Sequence, residues 1–160
     1  MTTVPPDAAI RPALTAADLD EVRALFREYE RSQGQSPCFA GFAEELDGLP
    51  GAYAAPDGAL LLAVVDGRAV GVVAVRPLGD GTAEMRRLFV RPDTRGGGIG
   101  RRLAEAALAA ARTAGHRVLR LETLSSMTAA RSLYEALGFR EVAPYVTKPI
   151  CGAHYYERAV

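Results

Sequence analysis

Four glycines within five positions, Gly96, Gly97, Gly98 and Gly100, interrupt a chain otherwise patterned as alternating strands and helices. They follow a strand-like run from Thr82 to Arg91, stopped by Pro92. They open a run from about Ile99 to Ala114 in which leucine, alanine and arginine recur at helical spacing. Glycine has no Cβ, so at this turn the backbone can pass close to a ligand and several N–H groups can converge on it. The positive end of the following helix contributes about 0.3–1 kcal/mol per anionic group, and Arg95 and Arg101 flank the turn with full charge. A diphosphate suits that geometry; the plainer alternative is a tight strand-to-helix turn whose glycines serve packing alone. Two other nucleotide-binding patterns fail. An ATPase loop needs Gly-Lys-Ser/Thr, and here Gly100 precedes Arg101-Arg102; a dinucleotide fold needs G-x-G-x-x-G, and here Gly96, Gly98 and Gly100 are spaced by two.

The rest of the chain supplies a mixed α/β frame around that turn. Ile10 to Leu14 is a short strand candidate, and Thr15 with Asp18 resembles an N-cap with an acid in the first turn. Leu19, Val22, Leu25, Phe26 and Tyr29 then fall on one helical face, predicting an amphipathic helix from Ala16 that ends between Ser32 and Gly34. Gln35 to Phe39 reads as a loop, Phe42 to Leu49 as a weaker helix ending before Pro50-Gly51. Leu60 to Val65, Asp66-Gly67 and Ala69 to Val75 predict an antiparallel hairpin with a strong turn signal. Beyond the glycine turn come a strand at Val118–Glu122, a helix at about Thr128–Leu137 closed by Gly138, and strands at Phe139–Val142 and roughly Ala153–Ala159.

No repeat, linker or low-complexity tract divides these 160 residues, a length that fits one domain with one core. Hydrophobic residues at 49% and charged residues at 24% exclude a disordered or membrane-embedded chain, and no apolar run approaches a membrane span. Nineteen basic against nineteen acidic residues give zero net charge, so no whole-molecule field draws the chain to nucleic acid or an anionic bilayer. Cys38 and Cys151 lack metal-site spacing, which leaves no metal expected and points to a reducing, cytoplasmic setting. Met1 to Ala9 carries no targeting pattern and reads as a flexible tail.

The run Arg95-Gly96-Gly97-Gly98-Ile99-Gly100 resembles the R/Q-x-x-G-x-G/A loop of the GNAT superfamily of N-acetyltransferases, and it follows a strand ending Leu88-Phe89-Val90-Arg91-Pro92 as in that family. Leu133-Tyr134-Glu135-Ala136-Leu137-Gly138-Phe139 resembles its second signature, a tyrosine-bearing helix running into Gly-Phe. The resemblance covers about Glu84 to Arg140, with the core motifs at about 82–143. It implies a single α/β domain over 1–160: a central mixed, mostly antiparallel sheet, flanked by about four helices and splayed between its fourth and fifth strands. It also implies transfer of an acetyl group from acetyl-CoA to a primary amine by direct attack, without an acyl-enzyme, in a chain that by analogy could pair as a homodimer.

On that resemblance the diphosphate sits on N–H groups from Gly96 to Arg101, and the pantetheine arm pairs with exposed backbone of Leu88, Phe89 and Val90. A main-chain N–H near Leu88 would meet the charge developing on the thioester oxygen, an effect worth ~3 kcal/mol. Tyr134 matches the family's general acid, although its spacing from Ala130, Leu133 and Leu137 also fits a tyrosine packed in the core. Two carboxylates match bases used in different branches of the family, Glu84 and Glu122; a proton-conducting water chain is a third route. The residues do not choose among them, and Glu84 is placed first. If the two strands are neighbours, both carboxylates border one cleft. Each also fits a solvated or arginine-paired carboxylate at a strand end.

Seven residues before the tyrosine, where the family often carries an asparagine touching CoA, this chain has Met127, with Ser125, Ser126 and Thr128 nearby. His116 and His154 fit surface or structural roles, and Cys151 shows no activating neighbours. The acceptor side is expected from about Gln33 to Phe39 and from Tyr145 to Tyr156; Phe39, Tyr145, Tyr155 and Tyr156 could wall a pocket or simply pack. The competing function is a non-catalytic acyl-CoA-binding or sensor domain, against which Tyr134 and both glutamates count.

Overall fold

Asp66 and Gly67 both take positive φ, 50° and 77°, and Asp80 and Gly81 repeat the pattern at 55° and 75°. Paired positive φ values at the two central positions match the twist of antiparallel strands, so each pair closes a tight hairpin. The computed structural model, which describes residues 8–34 and 39–160, strings these hairpins into the sequence β1 (Ala9–Pro12), α1 (Ala16–Gln33), α2 (Phe42–Asp47), β2 (Ala59–Val65), β3 (Arg68–Gly79), β4 (Thr82–Val90), α3 (Ile99–Thr113), β5 (Val118–Leu124), α4 (Thr128–Ala136), β6 (Arg140–Val142) and β7 (Ala153–Ala159). The strands form one seven-stranded sheet in the order β1-β2-β3-β4-β5-β7-β6. Every neighbouring pair is antiparallel except β4 and β5. This is the expected mixed, mostly antiparallel sheet with its four helices.

Alternation along the central strands feeds two cores, one on each face of the sheet. Leu61, Ala63, Val73 and Val75 pack with Leu103, Ala104, Ala107 and Ala111 of α3. Leu60, Leu62, Val72 and Ala74 pack with Val22, Leu25 and Phe26 of α1 and with Phe42 and Leu46 of α2. Burying strands on both faces explains why β2 and β3 read as nearly continuous apolar runs. Val22, Leu25 and Phe26 are completely buried, each worth roughly 1.5–3 kcal/mol relative to exposure. Entry into α1 is fixed by a capping box: Asp18 N–H donates to the Thr15 hydroxyl at 3.0 Å, and Asp18 Oδ2 accepts from Thr15 N–H at 3.2 Å. Arg11 adds a bidentate pair to Asp18 at 2.9 Å.

Several boundaries differ from the expected ones for physical reasons. β3 runs on through Pro77 to Gly79 because β2 begins opposite Val75, so beyond that point no strand on that side asks for the missing N–H. β5 continues past Glu122 to Leu124, where it still pairs with Ala153 of β7. The tail expected over 1–9 ends sooner: Ala8 is buried and Ala9 pairs with Val64, while residues 1–7 lie outside the described residues. The loop expected at Gln35–Phe39 also falls outside them, apart from Phe39. No helix among the described residues is long and apolar enough to cross a membrane.

Candidate active site

β4 carries an irregularity that shapes everything beside it. Val72 of β3 pairs with Phe89, but Ala74 pairs with Arg86, so Arg87 and Leu88 together face Val73. Arg87 absorbs the extra residue with φ +59°, a left-handed conformation costing about 1–3 kcal/mol in a non-glycine residue. Its side chain offsets the strain: the guanidinium is buried, meets Glu45 at 2.9 Å and lies 4.3 Å from the centroid of Phe39. A bulge of this kind bends the strand and re-aims its backbone groups. Parallel pairing between β4 and β5 stops at Met85 and Leu121, so Arg86–Val90 has no β5 partner and presents a strand edge to an open cleft. That is the expected splay.

The cleft holds about 560 Å³ and runs from this edge to the N-terminus of α3, with β5, α4 and Tyr29 of α1 as its other walls. At the α3 end Gly96 and Gly98 hold φ +90° and +79°. Nothing lies within 4 Å of where a Cβ would stand on either, so conformation rather than crowding demands glycine there. Gly98 is the N-cap of α3 and no side chain caps the helix, which leaves its first N–H groups without intrahelical partners. Arg95 is braced across the turn, its Nε donating to Val90 O at 2.9 Å. Bare amides, a helix dipole and an unpaired strand edge are what a long ligand with a diphosphate at one end requires. Of the residues expected at the cofactor, Leu88, Phe89, Val90, Arg95, Gly96, Gly98, Ile99, Gly100 and Arg101 line the cleft; Gly97 is not among its lining residues. Arg101 also pairs with Glu105 at 3.0 Å on the exposed helix surface.

Tyr134 lines the same cleft from α4, buried edge-on against Phe139 at 5.9 Å. Among the described residues its hydroxyl has no hydrogen-bond partner. Burial, with a smaller push from Tyr29, raises its phenol well above the ordinary value, so the group stays protonated through neutral pH. Met127, at the position of the family's asparagine, accepts hydrogen bonds at sulfur from Thr123 Oγ1 at 3.4 Å and Tyr29 OH at 3.9 Å.

The two glutamates stand on one face, since Glu84 pairs with Arg120 and Glu122 lies two residues further along β5. Their surroundings differ. Glu84 is buried and held on three sides: Arg76 Nη2 at 2.8 Å and Arg86 Nε at 3.6 Å meet its Oε1, while Tyr145 OH donates to its Oε2 at 2.7 Å. Burial, then the Glu84 charge and that hydrogen bond, push the Tyr145 phenol far above its ordinary value. Glu122 is half-buried and lines both the large cleft and a smaller pocket beyond it that Glu84 also borders. Behind them, burial opposes ionisation of Glu45, but Arg87 and Arg86 hold its carboxyl below the ordinary range.

Sequence reasoning allowed an arginine-paired Glu84 but did not name Arg76 and Arg86 as its partners. Of the four aromatics expected near the acceptor, Tyr145 donates to Glu84, Tyr155 stands opposite Glu122 in the β5–β7 register, and Phe39, Tyr155 and Tyr156 are buried. His116 contacts Asp57 O at 2.8 Å, and His154 bridges Ser125 and Glu141, each at 2.8 Å; neither lines the cleft. Cys151 is an exposed free thiol, and Cys38 lies outside the described residues. No cluster of potential metal ligands occurs among the described residues.

Comparison with known proteins agrees with this geometry. A family model described as acetyltransferase (GNAT) family matches residues 19–139. An uncharacterized N-acetyltransferase of Schizosaccharomyces pombe is 33% identical over 153 residues, covering 94% of each chain. Among solved structures, an acetyltransferase from Streptococcus agalactiae superposes with TM-score 0.81 at 19% identity, covering 96% of this chain and 98% of its own. The PaiA N-acetyltransferase of Thermoplasma acidophilum, solved in complex with coenzyme A, superposes with TM-score 0.76 at 18% identity, covering 97% of this chain and 100% of its own.

Proposed function

The chain belongs to the acetyltransferase (GNAT) family and is an acetyl-CoA-dependent N-acetyltransferase, and from that premise we propose that it passes the acetyl group directly to a primary amine, with Glu122 as base and Tyr134 as acid. One observation carries this: the unpaired β4 edge, the uncapped glycine turn, Tyr134 and Glu122 border a single continuous cleft. The amides from Gly96 to Arg101 hold the diphosphate, and the backbone of Leu88, Phe89 and Val90 pairs with the pantetheine arm as an added strand.

Glu122 takes a proton from the incoming ammonium, freeing the nitrogen lone pair. As the C–N bond forms and the C–S bond breaks, an N–H near Leu88 stabilises the charge on the carbonyl oxygen, worth ~3 kcal/mol. Tyr134 gives its phenolic proton to the departing thiolate; the acylated nitrogen then sheds its second proton, which restores the phenol through solvent, and Glu122 releases the first to bulk water. Glu84, ranked ahead of Glu122 on the resemblance, is committed to Arg76, Arg86 and Tyr145; we assign it to positioning them.

The test is release of free thiol from acetyl-CoA with a panel of amines. Turnover without an acetylated active-site residue in quenched samples supports the direct route; a chemically competent acetyl-enzyme overturns it. Affinity for acetyl-CoA with no turnover on any amine would leave a binding domain instead.

A further inference from the structure

Beyond the β4–β5 splay lies the smaller pocket, about 110 Å³, which shares Met85, Arg86, Glu122 and Thr123 with the cofactor cleft and adds Arg76 and Glu84. Resting on the transfer reading above, we propose that this pocket is the acceptor site and that it selects a small amine carrying a carboxylate: Arg76 and Arg86 receive the carboxylate, and Glu122 faces the amine.

Three observations lead there. The first is unspent donor capacity. Arg76 uses Nε and Nη2 on one oxygen, Glu84 Oε1, at 2.9 and 2.8 Å. Arg86 uses Nη1 on Glu45 at 3.3 Å and on Tyr53 at 3.1 Å, and its Nε approaches Glu84. Nη1 of Arg76 and Nη2 of Arg86 have no partner among the described residues. Both residues line this pocket and meet the same carboxylate oxygen, which holds two guanidiniums side by side, the pairing that suits a carboxylate from outside. Glu84 fixes that wall, and its second oxygen is taken by Tyr145.

The second is charge. Arg76, Arg86 and Arg87 supply three positive charges at this pocket, and Glu45 and Glu84, the carboxylates they pair with, return two negative ones. The remaining acid on the pocket is Glu122. An amine without a carboxylate brings its ammonium to Glu122 and leaves the surplus guanidinium charge unanswered at a half-buried wall. A zwitterion answers both: the ammonium meets Glu122 and the carboxylate meets the arginines.

The third is size and position. A cavity of this volume accepts a group of amino-acid dimensions, not a folded surface, and it opens onto the cleft where Glu122 lines both spaces.

The experiment uses the full chain and acetyl-CoA with three matched probe sets: free α-amino acids, including aspartate and glutamate; their α-amides; and the corresponding decarboxylated amines. At least tenfold higher kcat/KM for the free acids is expected. Arg76→Gln should erase that preference by raising KM for the acids about tenfold with kcat little changed, and Arg76→Lys should restore part of it. Calorimetric binding of acetyl-CoA shows that each variant is folded. Amides or decarboxylated amines used as well as the acids, or a preference that survives Arg76→Gln, would overturn the inference. If no amine releases thiol, the transfer reading fails separately. Binding to the CoA-loaded protein then decides: the free acid held and its amide not held sustains the carboxylate site, and equal or absent binding overturns it.

Discussion

The two halves of the cleft are built from different material. The cofactor side is main chain: a bulged strand edge, two glycines at positive φ and the uncapped start of α3. The acceptor side is side chain: Arg76 from β3, Glu84 and Arg86 from β4, Glu122 from β5 and Tyr145 from the loop before β7. Main-chain sites depend on conformations few residues adopt, so they mark the sequence with glycines at fixed spacing. Side-chain sites depend on register, and arginines and glutamates at these positions look like any solvated pair until the strands are aligned.

The largest effect should come where the two halves meet. Glu122→Gln is expected to lower kcat about 10²–10⁴-fold at neutral pH with acetyl-CoA affinity nearly unchanged, the range for losing a general base; Glu84→Gln should act mainly on acceptor KM. If Glu84→Gln proves the more damaging to kcat, the division of roles drawn here is reversed. Tyr134→Phe should cost kcat about 10²-fold or more, again sparing acetyl-CoA binding, because the group donates only as sulfur departs. The raised phenol has a further consequence: kcat should show no basic limb assignable to Tyr134 until above the ordinary tyrosine value of 10.0. A limb lost in Tyr134→Phe at lower pH would contradict its burial as found.

On the main-chain half, Gly98→Val should weaken acetyl-CoA binding about tenfold or more, since a β-branched residue resists φ +79° and would pull the turn out of shape. Acceptor preference should persist in what activity remains. At the start of α1, lining neither half, Thr15→Ala should cost about 1 kcal/mol of stability through the lost cap and leave kinetics alone, as thermal and denaturant unfolding would show. Asp18 adds a pH signature. The Arg11 hydrogen bond, with those from Leu14 and Thr15, holds its carboxyl below the ordinary 3.8. Its contribution is therefore present above that value and fades as pH falls below it. Asp18→Asn should flatten the acid limb of the stability profile.

Much of the frame was legible because period and turn chemistry decide it. Asp66-Gly67 announced one hairpin, the alternating apolar residues of β2 and β3 supplied both cores, and Gly96–Gly100 with Tyr134 placed the cleft. The acceptor wall was not legible because it turns on two irregularities. Counting back from the Asp80-Gly81 turn pairs Glu84 with Pro77; the register shift between Pro77 and Gly79 moves Arg76 opposite Glu84 instead. The bulge at Arg87 likewise has no glycine to mark it, being stabilised by Glu45 from α2. Tyr145 sits in a loop whose reach to Glu84 no local pattern encodes. The resemblance ranked Glu84 ahead of Glu122, and which arginines hold it shows only once the strands are aligned.

Calorimetry comparing acetyl-CoA with acetyl-pantetheine, which keeps the thioester and the arm but lacks the diphosphate, tests the main-chain cradle most directly. Acetyl-CoA should bind at least about a hundredfold more tightly, with most of that difference lost in Gly98→Val. Equal affinities for the two ligands, or a difference untouched by Gly98→Val, would mean that the glycine turn and the start of α3 do not hold the cofactor.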